Sequence, residues 1–312
     1  MTLDYVSNWS EKMNGSHKPM SENEYSVTEL LKDATAIVLK RRHSKEIQKD
    51  IQAFADINAG TAVHESLEES ARECGWETEK ELSIVIKPED GERFTLYGKL
   101  DLYRDGVLAD IKNTKEASVN KAVSGQDDDW RKQLTAYVIM ADTMRPDWYK
   151  GLDDMQIHAR ITDLSVVGNA KTGKSTDKWR VIHYDIPTHA QTDALVDEFI
   201  DKVTQVRKLS KLRDNKLPMC SDKYRFAETK YKIYGKTKSG EWKKTAEVGH
   251  ANYPTAYEAK QGFEKAGFTE ADHRILEVGG ESLRCKYFCE VKEFCPHYKK
   301  MMEVGNETSE SK

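Results

Sequence analysis

The sequence predicts a mixed α/β fold in which a central mixed sheet is flanked by helices and followed by a small metal-bound C-terminal module. Apolar residues recur at helical spacing from Val27 onward, and the pattern changes to a period of two around residues 82–86. Helical and strand patterns then alternate as far as residue 212, which is typical of a sheet with helices packed on it. Beyond that point the chain is basic and aromatic and carries four of its five cysteines.

These patterns predict the elements in order. Helices are expected over residues 26–57 and 59–75, with Ser26 as the first N-cap and Gly75 as the second stop signal. The remaining predictions are strands near 82–86, 93–103 and 107–112, a helix over 128–144, strands over 155–166 and 179–186, and a helix over 189–212. The predicted domains are a flexible N-terminal arm at 1–25, an α/β core at 26–212, a basic, Cys-containing module at 213–300 and a disordered tail at 301–312.

Composition limits the classes of protein that fit. The chain has 312 residues and a net charge of -4. No apolar run approaches the ~20 residues of a membrane helix, and the N-terminus lacks a secretory pattern. The sequence therefore predicts a cytoplasmic protein with no membrane partner. Residues 201–250 contain fourteen Lys and Arg against six Asp and Glu. A solvated basic surface explains this charge most simply, although the aromatic residues interleaved with it suit a nucleic-acid strand.

A β-hairpin carries the predicted chemistry. A two-residue turn at Asp105-Gly106 would place Asp101 directly opposite Asp110, with Lys112 two residues further along the same face. Like charges in that position destabilise a sheet, so the pair predicts a divalent cation, Mg²⁺ or Mn²⁺, between the carboxylates. The Lys112 ammonium could then orient or help deprotonate an attacking water. Two alternatives are a three-residue turn, which would shift the register, and a solvent-facing hairpin with ordinary aspartates.

Two helices contribute further candidate residues. His64 lies on the helix before the hairpin, from which it could reach the same cation. Gln133 and Tyr137 lie on the helix after the hairpin, and their i, i+4 spacing directs both side chains from one face. The simpler explanations are a structural histidine and the edge of an amphipathic helix.

Together these residues resemble the RecB-type exonuclease branch of the PD-(D/E)XK superfamily, which includes CRISPR-associated exonucleases and many phage nucleases. The family pattern is G-x-x-x-H, then G-x-x-D, then (D/E)-x-K, then Q-x-x-x-Y. The chain matches it, in order, at Gly60 and His64, Gly98 and Asp101, Asp110 and Lys112, and Gln133 and Tyr137. The resemblance covers roughly residues 26–298, so that it implies a restriction-endonuclease-like core at 26–212.

The resemblance also implies a role for each residue. The cation would be held by His64, Asp101, Asp110 and the backbone carbonyl of Ile111. Lys112 would act on the water, and Gln133 and Tyr137 would brace the site and the DNA strand. The implied protein is a Mg²⁺- or Mn²⁺-dependent deoxyribonuclease, acting as an exonuclease on single-stranded DNA ends, with duplex ends as another substrate. By analogy, it would be encoded by a phage or prophage and would work with a recombination or repair protein.

Four cysteines predict a second metal centre. Cys285, Cys289 and Cys295 lie within eleven residues, and Cys220 is 65 residues upstream. Some RecB-type nucleases hold an iron–sulfur cluster with one early and three late cysteines, and the resemblance implies a [4Fe–4S] cluster here. Zn²⁺ is the alternative, with His297 able to replace one thiolate. The fifth cysteine, Cys74, is expected in the core of its helix.

Two other functions compete with the nuclease. Residues 168–175 match the phosphate-binding P-loop pattern, which would make the chain an ATPase. That motif needs a helix at its Lys-Ser end, and the residues that follow alternate like a strand, so the segment is predicted to be a flexible hairpin loop. The other alternative is a non-catalytic, zinc-stabilised DNA-binding or assembly subunit that retains the nuclease fold.

Overall fold

The structure is a computed structural model that describes residues 21–47, 51–89, 91–126, 128–171, 173, 175–244, 253 and 255–309, with the backbone alone described for 51–59 and 304–309. The chain forms two compact units. The first unit extends to Ile37 and resumes from Glu46 to Lys211. The second consists of Val38–Lys45 and the residues from Leu212 onward. The predicted core ended at residue 212, next to this division, but the sequence did not indicate that Val38–Lys45 belongs with the later residues.

The first unit begins with a short strand and three helices. Strand β1 (Glu24–Ser26) leads directly into helix α1 (Val27–Leu30), whose N-cap is Ser26, as predicted. The predicted helix over 26–57 is wrong in its extent, because it divides into α1, α2 (Ala34–Arg42) and the start of α3 (Ile51–Glu73). The predicted N-terminal arm is also too long, since Tyr25 is fully buried; residues 1–20 lie outside the described residues.

Helix α3 ends where the sequence predicts. Gly75 has a φ of 85°, which glycine adopts without steric cost. The amide of Gly75 donates to the carbonyl of Arg72, and the amide of Trp76 donates to that of Ala71. These two bonds form a Schellman motif, which satisfies the last carbonyls of the helix. The chain then reverses into β2.

The first unit is built on a six-stranded mixed sheet in the order β1-β3-β4-β5-β6, with β2 paired to β3. β1 pairs with β3 in parallel and β4 pairs with β5 in parallel, whereas the other pairs are antiparallel. The remaining strands are β2 (Glu77–Ile86), β3 (Phe94–Arg104), β4 (Val107–Thr114), β5 (Asp154–Ile161) and β6 (Trp179–Tyr184).

Helices flank this sheet, so the mixed α/β class is confirmed. The predicted helices over 128–144 and 189–212 are α5 (Asp129–Met144) and α8 (His189–Ser210). A Thr188 capping box begins α8, and Phe199 and Val203 on its apolar side are buried. The sequence patterns did not indicate the short helices α4 (Glu116–Val123), α6 (Pro146–Lys150) and α7 (Val166–Lys171).

The hairpin between β3 and β4 has the predicted turn, and three of its predicted backbone pairs form, but the predicted pair of Asp101 with Asp110 does not. Asp105 and Gly106 both have positive φ, 48° and 82°, as a tight two-residue hairpin turn requires. Arg104 pairs with Val107, Tyr103 with Leu108 and Leu102 with Ala109. A Cβ on Gly106 would lie 2.3 Å from the carbonyl oxygen of Gly151, so packing as well as backbone conformation favours glycine here.

The second unit contains a three-stranded sheet in the order β8-β7-β9. Its strands are β7 (Lys230–Lys236), β8 (Trp242–Lys244) and β9 (His273–Val278), and its helices are α9 (Asp222–Arg225), α10 (Ala256–Lys265), α11 (Leu283–Tyr287) and α12 (Pro296–Ser309). Helix α12 occupies much of the segment predicted to be a disordered tail. Within the described residues, no helix has the length and apolarity needed to cross a membrane.

Candidate metal centre

The candidate site lies where β3 and β4 separate. The backbone pairing of the hairpin stops at Leu102–Ala109, one residue before Asp101 and Asp110 would pair. The edge of β3 that pairs with β4 also pairs with β1, but only at Thr95–Tyr97. The residues of β3 between its pairing with β1 and its pairing with β4 therefore have no strand partner on that edge among the described residues. The carboxylate of Asp101 closes part of this gap, because its Oδ2 accepts a 2.8 Å hydrogen bond from the amide of Ile111.

A polar network surrounds Asp110. This residue is 2% exposed, and its Oδ2 lies 2.6 Å from Nζ of Lys112. Gln133 on α5 joins both residues: its Nε2 donates to Oδ1 of Asp110 over 2.7 Å, and its Oε1 accepts from Nζ of Lys112 over 2.9 Å. Nε2 of Gln133 also lies 3.1 Å from the hydroxyl of Tyr137. A buried carboxylate is costly unless it is paired and hydrogen-bonded, and this network supplies both.

Gly98 provides the space for Tyr137. A Cβ at position 98 would lie 2.6 Å from Cε1 of Tyr137 and 3.2 Å from the methyl carbon of Met140. The tyrosine ring is buried against this part of β3, with 3% exposure. The glycine of the G-x-x-D pattern therefore has a packing role: it allows α5 to approach the sheet.

Helix α3 contributes two side chains to the other side of the gap. Nδ1 of His64 lies 3.6 Å from Oδ2 of Asp101 and 3.8 Å from Oε1 of Glu68. The helix is held in place by an apolar cluster, in which Leu67, Ala71 and Trp76 pack against Leu102, Ala109 and Ile111.

His64, Glu68 and Asp101 each offer one ligand atom, and these atoms lie within 4.8 Å of one another. Among the described residues, this is the group of three or more His, Cys, Asp or Glu side chains with that geometry. One imidazole and two carboxylates are donors that Mn²⁺ accepts, and the carboxylates suit Mg²⁺. The arrangement can therefore hold one divalent cation beside the Asp110 network.

The electrostatics of the group favour a cation. Burial, and then the charge of Asp110, raises the pKa of Asp101 to about 8. Burial, and then the neighbouring Glu79 carboxylate, raises the pKa of Glu68 to about 7. Burial lowers the pKa of His64, so its ring is a neutral potential ligand at neutral pH. Without a positive charge between them, the carboxylates cannot all ionise at low cost.

The structure brings all the predicted site residues of the first unit into one region: His64, Asp101, Asp110, Ile111, Lys112, Gln133 and Tyr137. Glu68 and its neighbours Glu79 and Lys99 were not predicted from the sequence. After burial, the Glu79 carboxylate is the main cause of the raised pKa of Glu68, and Glu79 in turn forms an ion pair with Lys99. The i, i+4 spacing of His64 and Glu68 on α3 was the signal that could have identified this third acidic candidate.

The four predicted cysteine ligands lie in the second unit. All four are half-buried: Cys220, Cys285, Cys289 and Cys295. Burial, and then the neighbouring Cys295, raises the pKa of Cys285. Arg225 connects the early and late segments, since it donates to the carbonyl of Cys220 over 2.9 Å and to the Ser282 hydroxyl.

Two expectations about nearby residues change. Nε2 of His297, considered as an alternative zinc ligand, is hydrogen-bonded to the carbonyl of Leu217 over 2.8 Å. Cys74 is exposed and does not lie in a helix core, because α3 ends at Glu73, one residue before it.

The P-loop-like segment is not arranged as a phosphate cradle. Its first residues, from Gly168 to Lys171, form the end of helix α7, so the predicted hairpin loop is partly helical. Residues 175–178 are not helical, and β6 begins at Trp179, as the period-two pattern predicts. Thr172 and Lys174 lie outside the described residues. A helix that begins after the Lys-Ser end is therefore missing from the described part of the segment.

The fold and the site define a mixed α/β protein with a candidate histidine–carboxylate metal centre. No protein-family model matches the chain, and no curated protein matches it. Among solved structures, the chain is similar to the crystal structure of SSO0001, with 17% sequence identity and a TM-score of 0.45. That similarity covers 65% of this chain and 86% of the other.

Proposed function

We propose that this chain is a metal-dependent DNA nuclease with a PD-(D/E)XK core. The observation that carries the proposal is the position of the Asp110–Lys112–Gln133 network beside the His64–Glu68–Asp101 group. A buried acid paired with a lysine, next to a cation site, is the combination needed to hold a scissile phosphate and an attacking water together.

The donor set fits a divalent cation. His64, Asp101 and Asp110 would hold it, as the family resemblance implies, and Glu68 extends the donor set on the side of α3. The raised pKa of Asp101, about 8, indicates a site that lacks positive charge. When bound, the cation supplies Lewis-acid stabilisation of the phosphate and lowers the pKa of a bound water.

The chain's own residues would orient the reacting groups. The ammonium of Lys112 is held between Asp110 and Gln133, which limits its motion and leaves a donor for a water or a phosphate oxygen. Gln133 holds the Asp110 carboxylate in one orientation. Tyr137 stays a neutral phenol, because burial raises its pKa above the usual value, and its ring supports Gln133.

The proposed substrate is single-stranded DNA, degraded from its ends. A comparison of linear single strands, circular single strands and duplexes tests this choice. An exonuclease specific for single strands degrades the first and spares the circle. Cleavage of the circle at a similar rate would contradict an exonuclease.

The catalytic proposal is tested by digestion of labelled DNA with Mg²⁺ or Mn²⁺, for wild type, Asp110→Asn and Lys112→Ala. Each substitution removes a central group of the network, so we expect a rate loss of at least about 100-fold. The matched controls are Asp142→Asn, at an exposed position of the same helix as Gln133, and Lys115→Ala, just beyond β4. Both controls should retain wild-type rates. Cleavage that survives Asp110→Asn and Lys112→Ala would refute the site.

The competing function is a non-catalytic DNA-binding or assembly subunit stabilised by zinc. It predicts that wild-type protein binds DNA but does not cleave it with either cation. The buried Asp110–Lys112 pair argues against this alternative, because a subunit without catalysis has no need to keep a costly ion pair at a cation site.

We further propose that Cys220, Cys285, Cys289 and Cys295 hold a [4Fe–4S] cluster with a structural role. In support, three of the cysteines lie within one short segment of the second unit, and Arg225 connects that segment to Cys220 through hydrogen bonds to the Ser282 hydroxyl and the Cys220 carbonyl. Within the described residues, no three of these sulfurs lie within 4.8 Å of one another.

Metal analysis of the purified, anaerobically prepared protein tests this cofactor. We expect about four irons and four sulfides per chain and absorbance near ~400 nm. Cys289→Ser should lose the absorbance, whereas Cys74→Ser, at the exposed cysteine of the first unit, should retain it. One zinc per chain and a colourless protein would contradict the cluster.

A further inference from the structure

The small sheet of the second unit has one face covered by a helix. Helix α10 packs against β7 and β9. On the covered face, Ile233 of β7 is 2% exposed and Ala259 of α10 is fully buried. The ring of Phe268, which follows α10, stacks on His273 of β9 at 3.8 Å.

The opposite face carries basic and aromatic side chains. Successive residues of a strand point to opposite faces, and directly paired residues share a face. Tyr234 is paired with Lys244 on one side and Arg274 on the other, and Lys236 is paired with Trp242. We call this surface the open face of the small sheet; its residues are Lys230, Lys232, Tyr234, Lys236, Trp242, Lys244, Arg274, Leu276 and Val278.

The open face has one sign of charge. It contains five basic side chains, and no acidic residue shares its register; the basic residues are Lys230, Lys232, Lys236, Lys244 and Arg274. The acidic residues of this sheet region, Glu241 and Glu277, belong to the alternate positions of their strands. Among the described residues, no acidic side chain forms an ion pair with Lys230, Lys232 or Lys236. The charges are therefore available to an external anion.

The rings on this face are arranged for stacking. The guanidinium of Arg274 lies 4.2 Å from the centroid of the Trp242 ring, and Tyr234 is the direct neighbour of Arg274 across the strands. A guanidinium stacked on an indole presents a flat, positively charged surface. Bases stack on aromatic rings and on arginine planes, while lysines contact the phosphates between them.

We propose that the open face of the small sheet binds single-stranded DNA. Aromatic rings and cations alternate on it. In a duplex the bases stack on one another and cannot stack on these rings, so a single strand with exposed bases fits the face better than a duplex does. An acidic protein or membrane surface would use the charges but not the stacking plane. The choice of DNA over RNA rests on the proposed function. The assignment of the face to binding a single nucleic-acid strand does not depend on catalysis.

The experiment measures binding of a labelled oligothymidine to the full-length protein in the absence of divalent cation, so that cleavage is not required. Lys232→Glu/Lys236→Glu should weaken binding by about tenfold or more and reduce the dependence of affinity on salt, because phosphate contacts are lost. The matched control is Lys260→Glu/Lys265→Glu, which makes the same charge change at exposed positions of α10, on the other layer. The control should bind nearly as well as wild type.

Stacking is tested at Trp242. Trp242→Leu should weaken binding about five- to 150-fold, the effect of losing one base–ring stack. Trp242→Phe keeps a ring and should retain most of the affinity. Circular dichroism checks that both variants remain folded. If Trp242→Leu does not fold, the Lys232→Glu/Lys236→Glu variant provides the test.

Several results would overturn the assignment. One is an equal loss of affinity in the two lysine pairs. Another is a duplex or an oligouridine that binds more tightly than the oligothymidine. If the chain cleaves DNA but the open-face variants bind normally, the inference fails and the nuclease proposal stands. If the open face binds DNA and no cleavage occurs, the inference stands and the nuclease proposal fails.

Discussion

At the scale of single residues, Glu68 is a candidate ligand that the structure identifies and the sequence did not predict. It is 6% exposed and faces His64 across one helical turn, and burial together with the neighbouring Glu79 carboxylate raises its pKa. A buried acid in that position adds an oxygen ligand to the side of the site that approaches from α3. The cation would then be held from a helix as well as from the two strands.

Glu68→Gln should therefore weaken Mn²⁺ binding. The amide keeps the size of the side chain and removes its charge, and we expect an affinity loss of about tenfold or more. Titration calorimetry measures it directly. The control is Glu69→Gln, the exposed neighbour on the same helix, which should bind as wild type. Equal affinities for both variants would rule out Glu68 as a ligand.

The raised pKa of Asp101 predicts a pH-dependent stability. Its pKa changes from 3.8 to about 8 on folding, chiefly through burial. Between those values the native state binds more protons than the unfolded state, so stability without cation falls as pH rises through this window. The expected slope is on the order of 1 kcal/mol per pH unit. Bound Mn²⁺ replaces the proton, so it should stabilise the protein more at pH 8 than at pH 6.

Thermal unfolding with and without Mn²⁺ across this pH range checks the prediction. Asp101→Asn cannot titrate, so it should reduce both the pH dependence and the stabilisation by Mn²⁺. A wild-type protein that gains stability between pH 6 and 8 in the absence of cation would contradict the sign.

At the scale of elements, two glycines of the first unit differ in the space that surrounds them. Gly98 has no room for a Cβ, because Tyr137 would lie 2.6 Å away. Gly60 lies in α3, where a Cβ would meet only Nδ2 of Asn113 at 3.9 Å, an ordinary contact. The same substitution should therefore have opposite effects at the two positions.

Gly98→Ala should lower the free energy of unfolding by about 1–3 kcal/mol, because the ring or the strand must shift. Gly60→Ala should raise it by about 0.5–1 kcal/mol, because alanine favours a helix interior. Chemical denaturation measures both values. If Gly98→Ala proves neutral, the close packing of Tyr137 is not a constraint on this element.

At the scale of the whole molecule, the second unit includes residues that lie early in the chain. His43 stacks on Phe294 at 4.1 Å, and its Nε2 is 2.8 Å from Oδ2 of Asp214. Arg42 forms an ion pair with the same aspartate and donates to the carbonyl of Leu212 over 2.9 Å. A fragment that begins at residue 212 would lack these contacts.

His43→Ala should destabilise the second unit by about 1–2 kcal/mol through the lost stacking and hydrogen bond. Hydrogen exchange should accelerate around Asp214 and Phe294, while β3 and β4 keep their protection. Ser44→Ala, at the exposed neighbouring position, is the control. Unchanged exchange at Asp214 and Phe294 would show that the early segment does not support this unit.

The sequence by itself determined the local features of the fold. The Asp-Gly turn and the register of Leu102 with Ala109 follow from backbone preferences of two residues and a period of two. The start of α1 at Ser26 and the end of α3 at Gly75 likewise depend on the backbone groups of a single turn. Residues close in sequence supply all the interactions that decide these features.

Only the tertiary structure decided which distant residues meet. β1 was missed because its three residues are too few for a periodic pattern, and Tyr25 is buried only through pairing with β3. Glu68 became a candidate because α3 packs on the sheet through Leu67 and Ala71. The basic residues near the end of the chain acquired a common face only through pairing between strands. These contacts depend on packing between residues far apart in sequence, and no local sequence pattern predicts that packing.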